Sequence, residues 1–348
     1  MAAARVSSDR TTRAALVGAG TAYAAGLLAY AIARPRAGDV AGLVELVDDF
    51  APWWFAPAPV LVLGGLGLRS RLLTLAGLAS AATFVANWGH LFARWRQDTQ
   101  PVYSNLKIMS FNMLGVNRRH ADLAAAVAAE APDVVASQEL TADAAQSLIK
   151  SLGREYPYRA LRPAPRASGS GVFSRYPLKD CEAFRLSEGG HWSQRMVVET
   201  PRGPVTLFNV HLPIPKLIWS RRHLGPFRVP SSFDSGRRRA EVERLAEMLD
   251  AVTGPLLVAG DFNLTERSHD YSLIRARLRD AFRTAGRGFG HTFPRLGSFP
   301  EPMPAPWPMV RLDYVWYSAH FQPISARLGR CGGSDHHPLI VRLTRAPA

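Results

Sequence analysis

The chain has 348 residues, 47% of them hydrophobic, which excludes a disorder-dominated protein and leaves ample core for one large domain with accessory segments. Its formal charge of +14 calls for an anionic partner, whether nucleic acid, an anionic membrane surface or a phosphorylated substrate. Cys181 and Cys331 are too few for a disulfide framework and lack zinc-finger spacing, and a single bridge between them is left open.

Residues 1–100 read as a membrane region. Ala14–Ala33 and Phe50–Leu68 are uncharged and Leu72–Ala93 carries only His90, so three transmembrane helices are expected at about 14–33, 50–68 and 72–93. Pro57 and Pro59 are tolerated near a helix start. Arg5, Arg10 and Arg13 before the first span, and Arg69 and Arg71 before the third, place those ends in the cytoplasm. The loop with Asp39, Glu45, Asp48 and Asp49 then lies outside, and Tyr30, Trp53, Trp54, Trp88 and Trp95 fall at the outer interface. Arg94 and Arg96 oppose this orientation, but long translocated domains follow charge rules weakly. The expectation is a multi-pass plasma-membrane protein whose second domain, 101–348, is extracytoplasmic, with His90 interfacial.

A polar linker from Arg94 to Tyr103 leads into the globular part. Strands are expected at Leu106–Phe111, Asp133–Ser137, Gly171–Ser174, Val197–Glu199, Val205–Val210, Leu256–Ala259, Leu312–Tyr317 and Leu339–Leu343. Helices are expected at Arg119–Glu130, Ala142–Lys150 with Thr141 as cap, Gly236–Ala251 and Tyr271–Leu278. The mixture predicts an α/β (α+β) domain with two packed sheets. Leu212–Phe233, with Leu217, Ile218, Trp219 and Phe227, and Gly286–Val310, with Trp307, read as long connections of the kind that carry function. Arginines at 221–222, 237–239 and 275, 277 and 279 could grip phosphates, although such runs are more often solvated helix faces.

Polar residues recur at the ends of apolar runs: Ser110-Phe111-Asn112, Gln138-Glu139, Asn209-Val210-His211, Asp261-Phe262-Asn263, Leu312-Asp313-Tyr314 and Ser334-Asp335-His336. Any one of them has a dull explanation as a capped turn or exposed carboxylate, and their conjunction carries the argument. Hydrolysis of a phosphoester needs a hard cation, a group that prepares water and donors for developing charge. Glu139 is an oxygen ligand suited to magnesium, with Asn112 and Asp335 assisting directly or through water. Asp261 suits the group that orients or deprotonates water, and Asn263 a donor to phosphate. His211 and His336, if protonated, would stabilise the phosphorane-like charge, and Asp313 would hold one of the two imidazoles.

These motifs, in this order, resemble the endonuclease/exonuclease/phosphatase superfamily: SFN at 110–112, QE at 138–139, SGVFSRYP at 170–177, NVHL at 209–212, GDFN at 260–263, LDYV at 312–315 and SDHHP at 334–338. The resemblance spans Leu106–Leu343. It implies a four-layer α/β/β/α sandwich after the three transmembrane helices, with magnesium or manganese held chiefly by Glu139. It carries Asp261, Asn263, His211, Asp313, Asp335 and His336 into the roles above and leaves open which histidine pairs with Asp313. The tyrosine of some abasic-site enzymes finds no position here. Asp335-His336-His337 is also weakly similar to the manganese phosphoesterases with an Asp-His-His triplet, but their further aspartate motifs are absent and His337 reads as a surface or packing residue. In architecture the chain resembles a membrane-anchored bacterial subgroup that includes VanJ-type glycopeptide-resistance proteins. An anchored catalytic domain meets substrates at or near the bilayer, and the aromatic, basic stretch Leu212–Phe233 directly follows His211, so the expected substrate is a lipid-linked or cell-envelope phosphate or pyrophosphate. A surface-tethered nuclease is the alternative: +11 of the +14 lies on residues 101–348, enough to follow a phosphate backbone. A noncatalytic binding module is the third reading.

Overall fold

Strands that read as near-continuous apolar runs are buried on both faces and need a covering layer on each side. The computed structural model describes residues 2–38, 42–93, 106–224, 227–294 and 308–346, without the side chains of 2–9 and 221–229. Arg5, Asp39, Arg94, Trp95, Arg96, the rest of the linker to Tyr103, Arg221, Arg222, Phe227 and Trp307 therefore fall outside what is described, wholly or in their side chains. In chain order the helices are α1 (Ala2–Ala33), α2 (Leu43–Asp49), α3 (Ala51–Trp54), α4 (Ala58–Gly67), α5 (Arg71–Trp88), α6 (His120–Glu130), α7 (Ala142–Leu152), α8 (Gly236–Asp250), α9 (His269–Arg275) and α10 (Ala281–Ala285). The strands are β1 (Leu106–Asn112), β2 (Val134–Gln138), β3 (Tyr158–Arg162), β4 (Ser170–Ser174), β5 (Leu178–Arg185), β6 (Trp192–Thr200) and β7 (Gly203–His211). After these come β8 (Lys216–Leu224), β9 (Phe227–Asp234), β10 (Leu256–Asp261), β11 (Arg279–Asp280), β12 (Asp313–Tyr317), β13 (Phe321–Leu328) and β14 (Leu339–Arg345).

The chain forms two compact units, Met1–Val40 with Phe50–Trp95, and Ala41–Asp49 with Arg96–Ala348. In the first, Arg10–Arg36 and Arg71–Leu91 are long and apolar enough to cross a membrane. The stretch expected as one span at Phe50–Leu68 is instead divided between α3 and α4, with Pro57 and Pro59 at the start of α4. A third span is counted only if these helices and Leu43–Asp49 are taken together as a bent pair. Small residues let α4 and α5 approach closely: a Cβ on Gly77 would meet the Val62 nitrogen at 2.8 Å.

In the second unit, one six-stranded sheet has the order β13-β14-β1-β2-β4-β3 and the other β11-β12-β10-β7-β6-β5. Alternate residues of their central strands meet between the sheets, with Ile108, Val134, Ala136, Leu207, Leu257, Ala259 and Val315 in one buried cluster. The outer face of the first sheet is covered by α6 and α7 through Leu123, Val127 and Leu148. That of the second is covered by α8 and α9 through Val242, Leu245 and Ile274. The result is the expected two-sheet sandwich with helices outside.

Several elements depart from expectation. Leu212–Phe233 is mostly a β-hairpin, β8 paired with β9, rather than a loop, because its apolar and basic residues alternate with too little regularity to be read as strands. β3, β5 and β13 are further strands whose mixed or exposed burial hid them. The last of the expected helices, α9, starts earlier, at His269, because Ser268 caps it by accepting from the Asp270 nitrogen, and α10 follows it unexpected. Cys181 and Cys331 are both free.

Candidate active site

The pleat that builds the inter-sheet core also builds the site. On β7, residues 205 and 207 face the other sheet, so Asn209 and His211 continue the same face; Leu257 and Ala259 on β10 lead likewise to Asp261. Register then aligns three strands: Asp261 lies opposite His211 on β7 and opposite Asp313 on β12. Ile108 leads to Asn112 on β1, level with Gln138 on β2. The apolar core thus becomes polar at one rim, where the parallel strands end. Gly260 permits the close approach of β10 to β7, since a Cβ there would meet the Val210 carbonyl oxygen at 2.0 Å.

Glu139 follows β2 and has φ of 57°, and Asn263 follows β10 with φ of 48°. Both are non-glycine residues in the left-handed region, a conformation that costs energy and turns their side chains back over the rim. Asn112 Nδ2 donates to Glu139 Oε1 and to Asp261 Oδ2, each at 2.9 Å, and the Gly115 nitrogen donates to Glu139 Oε2 at 2.8 Å. The Asn112 Oδ1 accepts from the Leu114 nitrogen at 3.0 Å, so this residue presents its nitrogen to the carboxylates and orients them. Asn263 donates from its backbone to Asp261 Oδ1 at 3.0 Å and from Nδ2 to the Leu212 carbonyl at 2.8 Å. His336 Nδ1 donates to Asp313 Oδ2 at 2.8 Å, which settles the pairing that the sequence leaves open. His336 Nε2 lies 3.8 Å and His211 Nε2 3.6 Å from Asp261 Oδ2. Asp335 flanks the site half-buried beside His336 and Glu139, and burial with the negative charges of Glu139 and Asp313 raises its carboxyl against the pull of His336.

The charges divide the two histidines. Burial disfavours the His336 imidazolium, but the Asp313 and Asp261 carboxylates override it and hold the ring up at about 10. His211 goes the other way: burial, then the neighbouring His191 and His336, lower it well below its ordinary range. His211 is therefore neutral, contrary to the expectation of two cationic rings; with Nδ1 donating to the Ala167 carbonyl at 3.1 Å, it presents a lone pair on Nε2. Burial and Asp313 raise the Asp261 carboxyl to about 7, against His336 and the Asn112 hydrogen bond.

Sequence reasoning missed His191, whose ring stacks on His211 at 4.1 Å and 11°. Burial lowers this imidazole too. A signal was present in the β6–β7 hairpin, whose turn pairs Thr200 with Gly203: counting back along it reaches Gln194 opposite Asn209, just short of the level of His211. Conversely, Gln138 and Asn209 are ties between the sheets. Gln138 Nε2 donates to Asn209 Oδ1 at 2.7 Å, and Asn209 Nδ2 reaches the carbonyls of Ser137 and Gly171 and the Gln194 Oε1 at 3.0 to 3.2 Å. His337 packs as expected, its Nδ1 on the Gly329 carbonyl at 3.1 Å.

The donor set fits a hard divalent cation. Glu139, Asp335, Asp261 and Asp313 crowd carboxylates around a single imidazolium, and Asp313 Oδ1 is buried without a hydrogen-bond partner. Glu139 and Asp335 offer carboxylate oxygens, as magnesium or manganese prefers. By distance Asp261, Asp313 and His336 could also close on an ion, their ligand atoms lying within 4.8 Å of one another. In that grouping His336 Nδ1 is tied to Asp313 Oδ2 at 2.8 Å, a buried ion pair beside Asp261.

The sequence profile of the Endonuclease/Exonuclease/phosphatase family matches residues 109–336, which contain Asn112, Glu139, His191, His211, Asp261, Asn263, Asp313, Asp335 and His336. No curated protein matches the chain. Among solved structures, an endonuclease/exonuclease/phosphatase from Beutenbergia cavernae is 22% identical, with 70% of this chain and 72% of that one covered at a TM-score of 0.53. One from Bacteroides vulgatus is 19% identical, covering 69% and 99%, at 0.54. TDP2 from D. rerio, complexed with a single-strand DNA product, is 18% identical, covering 69% and 98%, at 0.53.

Proposed function

The chain belongs to the endonuclease/exonuclease/phosphatase family, and from that premise we propose that it is a membrane-anchored, divalent-metal-dependent phosphoester hydrolase. The observation that carries the reading is the convergence of Asp261, the Asp313–His336 pair, Asn263 and Glu139 on one strand-end rim. Glu139 and Asp335 would hold magnesium or manganese, with Asn112 keeping Glu139 aligned. Such an ion supplies neutralisation of the phosphate oxygens and Lewis acidity.

The chain's own groups account for the rest. Asp261, at about 7, is poised near neutral pH to take the proton of an attacking water. His336 carries a fixed positive charge beside it and donates from Nε2 to a phosphoryl oxygen, its ring oriented by Asp313. Asn263 Nδ2, 3.5 Å from His211 Nε2, is a neutral donor at the same place. One Asn263 Nδ2 hydrogen is held by the Leu212 carbonyl and the other, whose nitrogen is only within 3.5 Å of His211 Nε2, is available to a phosphoryl oxygen, while His191 walls the site behind His211.

For the substrate we favour a phosphate or pyrophosphate on a lipid or envelope precursor outside the membrane. The support is the exposed apolar surface just beyond His211, where Ile214 is 71%, Ile218 50% and Trp219 46% exposed, in a chain with two membrane-capable helices. The rim is also cationic: Arg162 and Arg185 sit 4.4 and 4.5 Å from the Trp192 ring. A nuclease is the second reading, favoured by the charge of +14 and the fold shared with the DNA-bound D. rerio structure. The test offers the full-length protein in detergent polyprenyl phosphates and pyrophosphates beside single- and double-stranded DNA. Magnesium-dependent phosphate release from the lipids supports the leading reading, and cleavage of DNA alone overturns it.

A further inference from the structure

The acidic segment between the first two apolar stretches reads in sequence as a solvent-facing loop, yet Glu45 is 2% and Asp48 0% exposed. Helix α2 packs within the catalytic unit, against β9 and the start of α8. Glu45 accepts from Ser235 Oγ at 2.6 Å, from Ser268 Oγ at 3.3 Å and from Arg238 Nη2. Asp49 accepts from Thr265 Oγ1 at 2.5 Å, and Asp48 lies 3.6 Å from Arg267. Arg238 is 1% exposed, and its three nitrogens are all engaged. Nε donates to Asp270 at 2.8 Å, Nη2 to Ser268 at 3.0 Å, and Nη1 to the Asn263 carbonyl at 2.7 Å.

That last bond matters because Asn263 holds a left-handed backbone, which persists only when its surroundings over-determine it. We propose that Glu45 and Arg238 are positioning residues for the active site: the carboxylate on α2 locks the guanidinium that holds Asn263 in its strained conformation. The inference rests on the reading of Asn263 as a phosphate donor. Its consequence is that catalytic competence depends on a segment 193 residues away in sequence from Arg238, carried on the same chain as the apolar helices. A chain cut before Pro101 lacks this partner. Displacement of α2 from the catalytic unit would reach Asn263 through a single side chain, whereas Asp270 alone leaves Nη2 without its charged partner.

The test uses full-length protein in detergent, with magnesium-dependent hydrolysis of bis(4-nitrophenyl) phosphate as the assay. Glu45→Ala is expected to lower kcat by about 10²-fold, the scale of a small misplacement in an active site, with KM changed little. Glu45→Gln, which keeps the volume and one acceptor, is expected to recover part of that loss. In an Asn263→Ala background the same Glu45→Ala change should cost only about threefold or less, since a coupled pair is non-additive where a general structural defect adds. Unchanged kcat in Glu45→Ala, or an equal loss in both backgrounds, overturns the proposal. If the wild-type chain hydrolyses no phosphoester, the functional reading fails instead, and amide hydrogen exchange over residues 261–265 decides the tether. Faster exchange there in Glu45→Ala, with β2 unchanged, supports it; identical exchange overturns it.

Discussion

Asp313→Asn isolates the electrostatic half of the site, because it replaces the carboxylate 2.8 Å from His336 Nδ1 with an isosteric neutral group. In the wild type the imidazolium is held at about 10 against an ordinary 6.5, with burial opposing and Asp313 the largest of three supporting carboxylates, ahead of Asp261 and Asp335. A raised histidine keeps its charge below the shifted value and loses it as pH rises through that value. With Asp313 gone, burial pulls the ring down and Asp261 at 3.8 Å holds it up, so the ordinary value is a fair resting point. At pH 8 the charged fraction then falls from nearly all to roughly 3%, a loss of about 30-fold, while at pH 6 it falls by less than about twofold. The assay is kcat for a phosphodiester at saturating magnesium from pH 6 to 9, in wild type and Asp313→Asn. The variant's deficit should widen by roughly tenfold or more between pH 6 and pH 8. An equal deficit at every pH would refute the assignment of His336 as the charged donor and reduce Asp313 to a packing role.

Other substitutions separate chemistry from stability. Glu139→Ala should raise the magnesium concentration for half-maximal activity by about tenfold or more and abolish any metal-induced rise in Tm, read by thermal unfolding with and without chelator. Asn209→Leu removes the acceptor of one Gln138 Nε2 hydrogen and the donor to the Ser137 carbonyl and Gln194 Oε1 between the sheets, so unfolding in denaturant should show a loss of about 3 kcal/mol. Arg311→Met strands the buried Asp280, while Glu266 keeps Arg283, and should cost about 3–5 kcal/mol at neutral pH. Against the raising effect of burial, Arg311 holds both carboxyls below their ordinary values. Their contribution is thus complete above the unfolded carboxylate range and lost as pH falls through the folded values, and the acid slope of Tm should flatten in Arg311→Met.

The site was legible where chemistry coincides with strand ends. Asp261 and Asn263 share a face two residues apart, and period-two alternation from the inter-sheet core suffices to aim His211, Asp261 and Asp313 at one rim. The Asp313–His336 pairing was not legible, because it joins a residue of β12 to one in the loop before β14 of the other sheet, whose relative placement only packing decides. His211's neutrality was hidden for the same reason: its ordinary titration is overridden by burial and two neighbouring rings. Arg238 misled most. Within Arg237-Arg238-Arg239 it looks like one of three solvated helix charges, but it faces inward on α8 and its partners Glu45 and Asp270 come from 193 residues before it and 32 after it. The same holds for Glu45, Asp48 and Asp49, whose composition argues for solvent and whose burial depends on cations contributed by α8 and its neighbours. The hairpin β8–β9 escaped notice because exposed strands lack the alternation that marks a core face.

The central claim is that Asp261 prepares water for attack on a metal-held phosphoryl group. Its most direct test is steady-state hydrolysis of a phosphodiester by the full-length protein and by Asp261→Asn, with circular dichroism to verify the fold. The account predicts turnover that requires magnesium or manganese and a drop of about 10²–10⁴-fold in the variant, the usual contribution of a positioned general base. Metal-dependent turnover that survives Asp261→Asn would contradict it.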